Sequence, residues 1–467
     1  MQNLDERKTL WKDIDWKSVE KEVFKIQRRI YKASQRGDVK NVHNLQRLLT
    51  KSYYGRLWAT RRVTQDNQGK DTAGVDGKKS YRPQQRFELV KELKLITNAK
   101  PLRRVWIPKS DGTLRGLGIP TIYDRALQCL VKLAMEPEWE AKFEPNSYGF
   151  RPARGCHDAI EAIFNAIRFK SKYVLDADIA QCFDKINHTK LLDKLNTYPS
   201  LRKQIKYWLK SGVINDGIFE KTPEGTPQGG VISPLLANIA LHGMELEIKK
   251  YARSLKGRKK ENERALSLIR YADDFVILHE KLEVVEDCQK IIEEWLVDIG
   301  LELKPSKTRI SHTLKEVNGS VGFDFLGFTI RQFLVGKCHS GKNKRGLLGF
   351  KTMIKPSQRK IKEHLQEIGH VIRSHKSAPQ ATLISKLNPI IRGWSNYYKT
   401  VCSKEIYSYC DHILYQQLKR WAERRHSNKS KTWVKEKYWK HIDTRNWVFT
   451  PKVGGRELLE HKDTPIV

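Results

Sequence analysis

Leu268-Ile269-Arg270-Tyr271-Ala272-Asp273-Asp274-Phe275-Val276-Ile277-Leu278 is the stretch that decides how the centre of the chain folds. Its adjacent carboxylates, Asp273 and Asp274, stand at the tip of an otherwise apolar segment, which predicts two short buried strands that meet at a tight turn. Two aspartates there cost free energy to desolvate and to hold side by side, so we expect a positive partner, for which a divalent cation is the natural candidate. An ordinary hairpin turn is the alternative, because Asp is a common turn residue.

A second pair of carboxylates lies upstream, in Tyr173-Val174-Leu175-Asp176-Ala177-Asp178-Ile179. Strand alternation puts Asp176 and Asp178 on one face, so the two compete for one role. If this strand lies beside the 271–274 turn, a carboxylate from each can hold two divalent cations roughly 4 Å apart. One ion would activate an attacking hydroxyl and the other would stabilise a leaving pyrophosphate, which is the chemistry of nucleotidyl transfer.

The chain is strongly basic: among its 467 residues, 88 Lys and Arg face 53 Asp and Glu, a formal net charge of +35. This balance predicts a polyanionic partner, with nucleic acid as the first expectation. An anionic membrane surface competes with it, but no apolar run approaches the roughly 20 residues that span a bilayer. Seven scattered cysteines without a Cys-x-x-Cys pair disfavour a zinc site and a disulfide framework. The amino terminus resembles neither a signal peptide nor an organelle presequence, so we expect a cytoplasmic, bacterial protein.

Hydrophobic periodicity predicts an α+β fold. Residues 11–65 follow helical spacing and predict a basic amphipathic helical region, whereas 66–79 predict a loop. Between about 100 and 335, short β-rich runs alternate with helical stretches, which indicates a domain with an antiparallel sheet. A helical pattern returns after 355, and its continuation towards Lys440 mixes cations with aromatics in a way that suits phosphate contact and base stacking. Within this carboxy-terminal helical pattern, one helix is expected to bury a stripe of residues, namely Ile406, Cys410, Ile413, Leu414, Gln417 and Trp421.

Tyr271-Ala272-Asp273-Asp274 resembles the catalytic box of reverse transcriptases, and the other boxes of that family appear in the right order. They are Arg104–Lys109 with Arg115–Pro120, Asn146–Pro152, Asp178–Asp184, Pro227–Pro234, Gly300-Leu301 with Lys307-Thr308, and Phe323–Phe328. The resemblance selects Asp178 over Asp176, because the family places an aromatic at the fifth position after its metal-binding Asp. Gly74–Gly77 and Leu387–Tyr398 resemble the amino-terminal extension and the maturase domain of group II intron-encoded proteins in particular.

The resemblance implies roles for individual residues. Asp178, Asp273 and Asp274 are expected to catalyse the reaction and to bind two Mg²⁺ ions, for which Mn²⁺ can substitute, with Ile179 as a further metal-binding position. The expected contacts to the incoming deoxynucleoside triphosphate are Lys109, Arg115, Phe183, Gln228 and Gly229, with Phe183 as a steric gate against the ribose 2′-hydroxyl. Lys307 is either a general acid or a solvated lysine. The expected RNA or DNA contacts are Arg61, Arg62, Arg392, Trp394, Lys419, Arg420, Arg424, Arg425, Lys435 and Lys437.

For the whole chain, the resemblance implies a right-hand polymerase followed by an all-α thumb. The expected segments are a basic helical extension (1–80), fingers and palm (81–340), a thumb or maturase domain (341–440) and a short carboxy-terminal segment (441–467) without the His-Asn-His endonuclease of many relatives. The expected partners are intron RNA, an RNA template with a DNA primer, and target DNA, at the bacterial nucleoid during integration. The protein would assist splicing and copy its intron into a DNA target by retrohoming. Two alternatives remain open: a splicing-only maturase, and a domesticated reverse transcriptase in phage defence or CRISPR spacer acquisition.

Overall fold

The structure is a computed structural model that describes residues 10–108, 112–215, 217–226, 229–344, 346–442, 445–452 and 455–467. The chain divides into two compact units. The first unit comprises Met1–Ala162 with Leu175–Arg309, and the second comprises Ile163–Val174 with Ile310–Val467. No helix among the described residues is long and apolar enough to cross a lipid bilayer.

Helices occupy the amino-terminal region, as the periodicity of residues 11–65 predicts. They are α1 (Trp16–Gln35), α2 (Val39–Lys51), α3 (Tyr53–Arg61) and α4 (Pro83–Glu92). The first three begin at polar capping residues: the side chains of Asp15, Asp38 and Ser52 each accept hydrogen bonds from backbone N–H groups of the first turn. The predicted loop at 66–79 starts at the last residue of a π-helical turn, Arg62–Asp66, and holds a short 3₁₀ turn, Gln68–Asp71.

Strands and helices alternate through the middle of the chain. The strands are β1 (Leu102–Pro108), β2 (Leu114–Ile119), β3 (Tyr173–Asp178), β4 (Val213–Asn215), β5 (Ile218–Glu220), β6 (Ser267–Tyr271), β7 (Asp274–His279), β8 (Arg309–His312), β9 (Phe323–Phe325), β10 (Phe328–Leu334), β11 (Lys342–Asn343), β12 (Gly346–Leu347) and β13 (Phe350–Pro356). The helices are α5 (Ile122–Glu140), α6 (Cys156–Ile167), α7 (Cys182–Lys185), α8 (His188–Leu195), α9 (Pro199–Leu209), α10 (Ser233–Leu241), α11 (Met244–Ser254), α12 (Lys259–Ala265) and α13 (Leu282–Asp298).

Two of the sheets have four strands each. One has the strand order β6-β7-β3-β8, in which β6 and β7 form an antiparallel hairpin, as predicted from the apolar runs on both sides of the Asp pair. The other has the order β2-β1-β4-β5. Its β1–β2 and β4–β5 pairs are antiparallel, which confirms the expected antiparallel pairing, and its β1–β4 pair is parallel.

The second unit is built on helices, which confirms the helical carboxy-terminal region. Its last elements are α14 (Gln358–Ser374), α15 (Gln380–Tyr398), α16 (Lys404–Arg424), α17 (Lys431–Tyr438), β14 (Trp439–Ile442) and β15 (Arg445–Phe449). The β14–β15 hairpin begins at Trp439, at the end of the expected thumb (341–440), and lies mostly in the expected carboxy-terminal segment (441–467). In the hairpin Trp439 pairs with Phe449, and both rings are buried in the helical core, so the chain leaves the helix at Tyr438 to bury its aromatics.

The buried face of α16 differs from the predicted stripe. The residues of this helix that are buried are Tyr407, Cys410, Leu414, Leu418, Trp421 and Ala422. Ile406, Ile413 and Gln417 are only partly buried. The buried face therefore lies about one position further along the helix than predicted, because the Tyr407 hydroxyl donates to the Ser395 carbonyl at 2.6 Å and turns that face towards α15.

Candidate active site

The two carboxylates lie at the turn between β6 and β7, where Tyr271 pairs with Asp274. Ala272 takes a left-handed conformation with φ of 58°, which costs an L-residue free energy and must be held by its surroundings. Gly149 lies against this turn: a Cβ at that position would be 2.3 Å from the Ala272 amide nitrogen. Residue 149 must therefore lack a side chain for the turn to adopt its shape.

Arg270 holds this turn in its conformation through buried hydrogen bonds. It is 1% exposed, and its guanidinium donates to the Ala272 carbonyl at 2.9 Å, to Asn238 Oδ1 at 3.1 Å and to Ser147 Oγ at 2.7 Å. Asn238 in turn donates to the Gly149 carbonyl at 2.7 Å. The buried guanidinium of Arg270 thus links the carboxylate turn, helix α10 and the segment before Gly149. A planar group with five donors suits these three contacts better than an ammonium would.

The third carboxylate, Asp178, ends β3 and is 8% exposed. The amide of Ile179, the next residue, donates to the Asp273 carbonyl at 3.2 Å, so the two carboxylate-bearing segments are neighbours, as the paired-strand hypothesis requires. Asp176, the competing residue, forms an ion pair with Arg309 at 3.0 Å. Asp178 instead accepts a bond from the Lys307 ammonium, and its own carbonyl accepts one from the Lys304 amide at 2.8 Å.

The electrostatics of these groups show the predicted cost of crowding carboxylates. Burial, with the charges of Asp178 and Asp273 adding to it, raises the pKa of Asp274 to about 7. Burial also raises the pKa of Asp273, whereas the charge of Arg115 acts to lower it. For Lys307, burial lowers the pKa, but the bond to Asp178 outweighs it and the net pKa is raised. The site therefore attracts positive charge.

No three His, Cys, Asp or Glu side chains form a ready metal cage in the described part of the chain. The donor types nevertheless suit Mg²⁺, which prefers carboxylate and carbonyl oxygens to nitrogen and sulfur. In the structure the cation beside Asp178 is the Lys307 ammonium, which donates to this carboxylate.

The structure brings some of the expected nucleotide contacts to this site. Arg115, on β2, is exposed and its charge acts on Asp273. Phe183, on α7, meets the Phe150 ring edge-on at 6.1 Å. Gly229 has φ of 110°, and a Cβ there would be 2.7 Å from the Gly118 carbonyl, so its backbone lies against β2. The two remaining expected contacts, Lys109 and Gln228, lie outside the described residues.

The expected RNA-contact residues fall into three groups. Four arginines are exposed: Arg62, Arg392, Arg420 and Arg424. Lys435 and Lys437 lie over the Trp447 and Trp433 rings at 5.0 and 4.9 Å.

The others are engaged within the protein: Arg61 stacks on Trp16 and pairs with Asp66, Lys419 lies 3.9 Å from Glu423, Arg425 donates to the carbonyls of Lys376 and Ala378, and Trp394 stacks on His364. These contacts favour a packing role for the Trp394 ring. They also indicate that the cations of Arg61, Lys419 and Arg425 serve in part to hold the fold.

Sequence reasoning missed Arg270, Ser147 and Asn238. Arg270 stood inside the quoted stretch but was taken as part of an apolar segment. The available signal was its type, since a guanidinium in a run of buried residues needs acceptors close by. Those acceptors lie 123 residues upstream at Ser147 and 32 residues upstream at Asn238, where the sequence shows no link to it.

Comparisons with known proteins agree with this geometry. Residues 107–330 match the family "Reverse transcriptase (RNA-dependent DNA polymerase)", residues 11–93 match "N-terminal domain of reverse transcriptase", and residues 361–439 match "Group II intron, maturase-specific domain".

Among curated relatives, Protein YkfC of Escherichia coli (strain K12) is 35% identical over 324 residues, which cover 61% of this chain and 82% of that protein. The group II intron-encoded protein LtrA of Lactococcus lactis subsp. cremoris is 29% identical over 442 residues, covering 78% and 72%. Maturase-like protein 1 of Euglena gracilis is 29% identical over 395 residues, covering 82% and 76%.

The carboxylate turn, its partner strand and the matched maturase region thus point to one conclusion. A reverse transcriptase domain acts on nucleic acid and in general requires a divalent metal. The chain belongs to the group II intron-encoded reverse transcriptases and is an RNA-directed DNA polymerase that carries a maturase domain.

Proposed function

We propose that Asp178, Asp273 and Asp274 form the polymerase centre and that it binds two Mg²⁺ ions through these carboxylates and the backbone at Ile179. The observation that carries this proposal is the raised pKa of the two turn aspartates beside a third carboxylate. Such a cluster is stable in its ionised form only beside positive charge. When bound, the two ions activate the primer 3′-hydroxyl and stabilise the leaving pyrophosphate.

The protein side chains position the reactants. Arg115 faces Asp273 from β2, where it can hold the phosphates of a deoxynucleoside triphosphate, with Lys109 assigned the same role from the matching motif. Gln228 and Gly229 are proposed to lie under the nascent base pair, where the missing side chain of Gly229 permits close backbone approach. Lys307 would release Asp178 as metal binds, and its ammonium is then available near the leaving group.

Phe183 is proposed to exclude the ribose 2′-hydroxyl. Its contact with Phe150 holds the ring in one place, which a steric gate requires. Phe183→Ala should increase incorporation of ribonucleotides relative to deoxyribonucleotides in primer extension, whereas Phe150→Leu, which keeps an apolar neighbour, should alter the ratio less. An unchanged ratio in Phe183→Ala would exclude the gate.

For the second activity, we assign intron RNA binding and splicing assistance to the maturase region, with retrohoming into a DNA target at the nucleoid as the outcome of both activities. The exposed arginines and the Lys–Trp pairs near Lys435 support contact with phosphates and bases. The proposed segments are the extension (1–80), fingers and palm (81–340), thumb (341–440) and carboxy-terminal segment (441–467).

Primer extension tests the proposal most simply. A DNA primer on an RNA template with Mg²⁺ should be extended by the wild type, and Asp273→Ala should lower the rate by about 10³-fold or more, because metal stabilisation is worth several kcal/mol. Asp298→Ala, which removes an exposed surface carboxylate paired with Lys190, is the matched control. Both variants should still bind intron RNA. Wild-type protein that binds intron RNA without extending a primer would favour a splicing-only maturase.

A further inference from the structure

A groove beside helix α9 has the features of a built binding site. It is an open groove with a volume of about 740 Å³, in the range that small ligands occupy in proteins. We call it the α9 groove, and its wall includes Pro101, Lys203, Lys206, Tyr207, Lys210 and Phe219. None of these residues belongs to the carboxylate site or to the expected RNA contacts.

Buried hydrogen bonds hold the two sides of the α9 groove together. Gln204, which is fully buried, accepts from the Thr97 amide at 2.9 Å and donates to the Thr97 carbonyl at 3.0 Å. Trp208 donates to Asp124 at 3.3 Å and anchors the same helix on α5. The groove is therefore a fixed feature of the first unit, since its helix and the facing loop at 98–101 cannot separate without breaking these bonds.

The aromatic wall of the α9 groove is fixed in the same way. The Phe219 ring lies on the backbone of Gly212, where a Cβ would be 2.3 Å from the ring, and Gly212 itself has φ of 70°. Phe219 remains 52% exposed in spite of this packing. An exposed ring packed against a glycine is a surface on which another flat, apolar group can stack.

Three lysines follow one face of α9 and its carboxy-terminal cap, at positions 203, 206 and 210. Steps of three and four residues place them in a single row along the helix. Lys203 lies over the Tyr207 ring at 5.7 Å, and none of the three pairs with a carboxylate among the residues that the structure describes. Arg202, by contrast, is held by Asp193 at 2.7 Å. A helix carboxy terminus favours cations near it, but that does not require an aromatic wall beside them.

We propose that the α9 groove binds an unpaired nucleotide of RNA, with its base against Tyr207 and Phe219 and the flanking phosphates on the three lysines. Cations in a row neutralise successive phosphates, and aromatic rings stack bases without regard to sequence. An acidic peptide would satisfy the lysines but would leave the aromatic wall without a partner. The choice of RNA over other polyanions rests on the maturase function proposed above.

Photo-cross-linking of a 12-nucleotide unpaired RNA that contains 4-thiouridine tests this assignment, with the attachment site mapped by mass spectrometry. We expect cross-links at Tyr207 or Phe219. The triple variant Lys203→Gln, Lys206→Gln, Lys210→Gln should lose most of them, and the slope of log affinity against log salt should fall by about 2, at roughly 0.7 for each lost phosphate contact. The charge-matched control Lys256→Gln, Lys259→Gln, Lys260→Gln removes three exposed lysines around α12 and should leave the cross-links in place.

A second variant separates the stacking from the charge. Phe219→Ala should weaken binding of the unpaired RNA roughly 5- to 100-fold, and an abasic oligonucleotide of equal length should bind wild type and variant alike. Cross-links that map only elsewhere, equal losses in both triple variants, or displacement by poly-glutamate at equal charge would each overturn the proposal. The experiment needs neither deoxynucleotide nor metal, so its outcome is independent of primer extension.

Discussion

Among the hairpins that hold a residue other than glycine in the left-handed region, two have opposite surroundings. Ala272, between β6 and β7, has φ of 58° and is 8% exposed, whereas Trp447, on β15, has φ of 62° and is 53% exposed. A buried hydrogen bond from Arg270 to its carbonyl holds the first, whereas the ring of the second is exposed and has the Lys435 ammonium over it at 5.0 Å. Backbone strain of this kind costs on the order of 1–3 kcal/mol and persists where something over-determines it.

The difference teaches how each region is expected to work. Chemistry at the carboxylate turn needs groups held within a fraction of an ångström, and buried bonds to Arg270 can provide that. The RNA contact proposed for the Lys435–Trp447 pair tolerates adjustment, so an exposed ring beside a lysine would suffice there. Substitutions at the turn should therefore have large, concerted effects, and those at the β14–β15 hairpin should have small effects on binding alone.

The largest effect is expected at Arg270. Arg270→Met would leave the Ala272 carbonyl, Asn238 and Ser147 without their donor inside the protein, which should cost about 3–5 kcal/mol of unfolding free energy. Arg270→Lys keeps the charge but not the fork, and should lower extension by about 10- to 100-fold while raising the Mg²⁺ concentration for half-maximal rate.

The Mg²⁺ dependence separates positioning from folding in these Arg270 variants. A variant that merely unfolds loses active molecules without changing the Mg²⁺ midpoint of those that remain. If Arg270→Lys showed the wild-type midpoint and rate at a temperature where both are folded, the turn would not depend on the guanidinium.

A medium effect is expected from pH on the metal-free protein. The folded-state pKa of Asp274, about 7, lies above its ordinary value of 3.8, so folding retains a proton that the unfolded chain releases. That contribution to stability is complete below about pH 4 and is lost as the pH rises towards and through 7. Asp274→Asn removes the loss and should be more stable than wild type by about 1–3 kcal/mol at pH 8, with little difference at pH 4.

Thermal denaturation of both proteins in EDTA from pH 4 to pH 8 measures this difference. Added Mg²⁺ should reverse the ranking at pH 8, because the ion binds the wild-type carboxylate and not the amide. Parallel curves for the two proteins across the whole range would mean that Asp274 ionises normally.

The smallest effect is expected at the exposed hairpin. Trp447→Gly releases the strain of the left-handed backbone, so stability should stay equal or rise by about 1 kcal/mol, while intron RNA binding should weaken roughly tenfold. Lys435→Gln should lower the salt slope of RNA binding by about one unit and leave primer extension unaltered. If Trp447→Gly bound intron RNA as tightly as the wild type, RNA binding would not be the reason why the strained backbone at this position is kept.

The carboxylate turn was predictable because its signal is local. Apolar runs on both sides of Asp273 and Asp274 predict a hairpin by themselves, and the resemblance to the family's motif predicts a role for Asp178 in a separate strand. The basic amphipathic helical region at 11–65 followed from periodicity in the same way. In each of these cases neighbouring residues carry the information.

The rest depends on residues that meet only in the fold. Arg270 is fixed by acceptors from distant segments, and the α9 groove joins a row of lysines to Phe219 through a glycine at 212. Helix α17 ends at Tyr438 because two outcomes compete there. A longer helix would have left the aromatic residues of the following segment exposed, whereas the hairpin buries them. Local patterns do not reveal such long-range partners.

Proton release on metal binding tests the central claim most directly, namely that the crowded carboxylate turn is the metal site of the polymerase. Mg²⁺ would be added to protein with template, incoming nucleotide and a dideoxy-terminated primer, so that no bond forms, and calorimetry in two buffers would count the protons. With a pKa of about 7 for Asp274, wild type should release about half a proton more than Asp274→Asn at pH 7. Equal proton release by the two proteins, with equal Mg²⁺ affinity, would contradict the assignment.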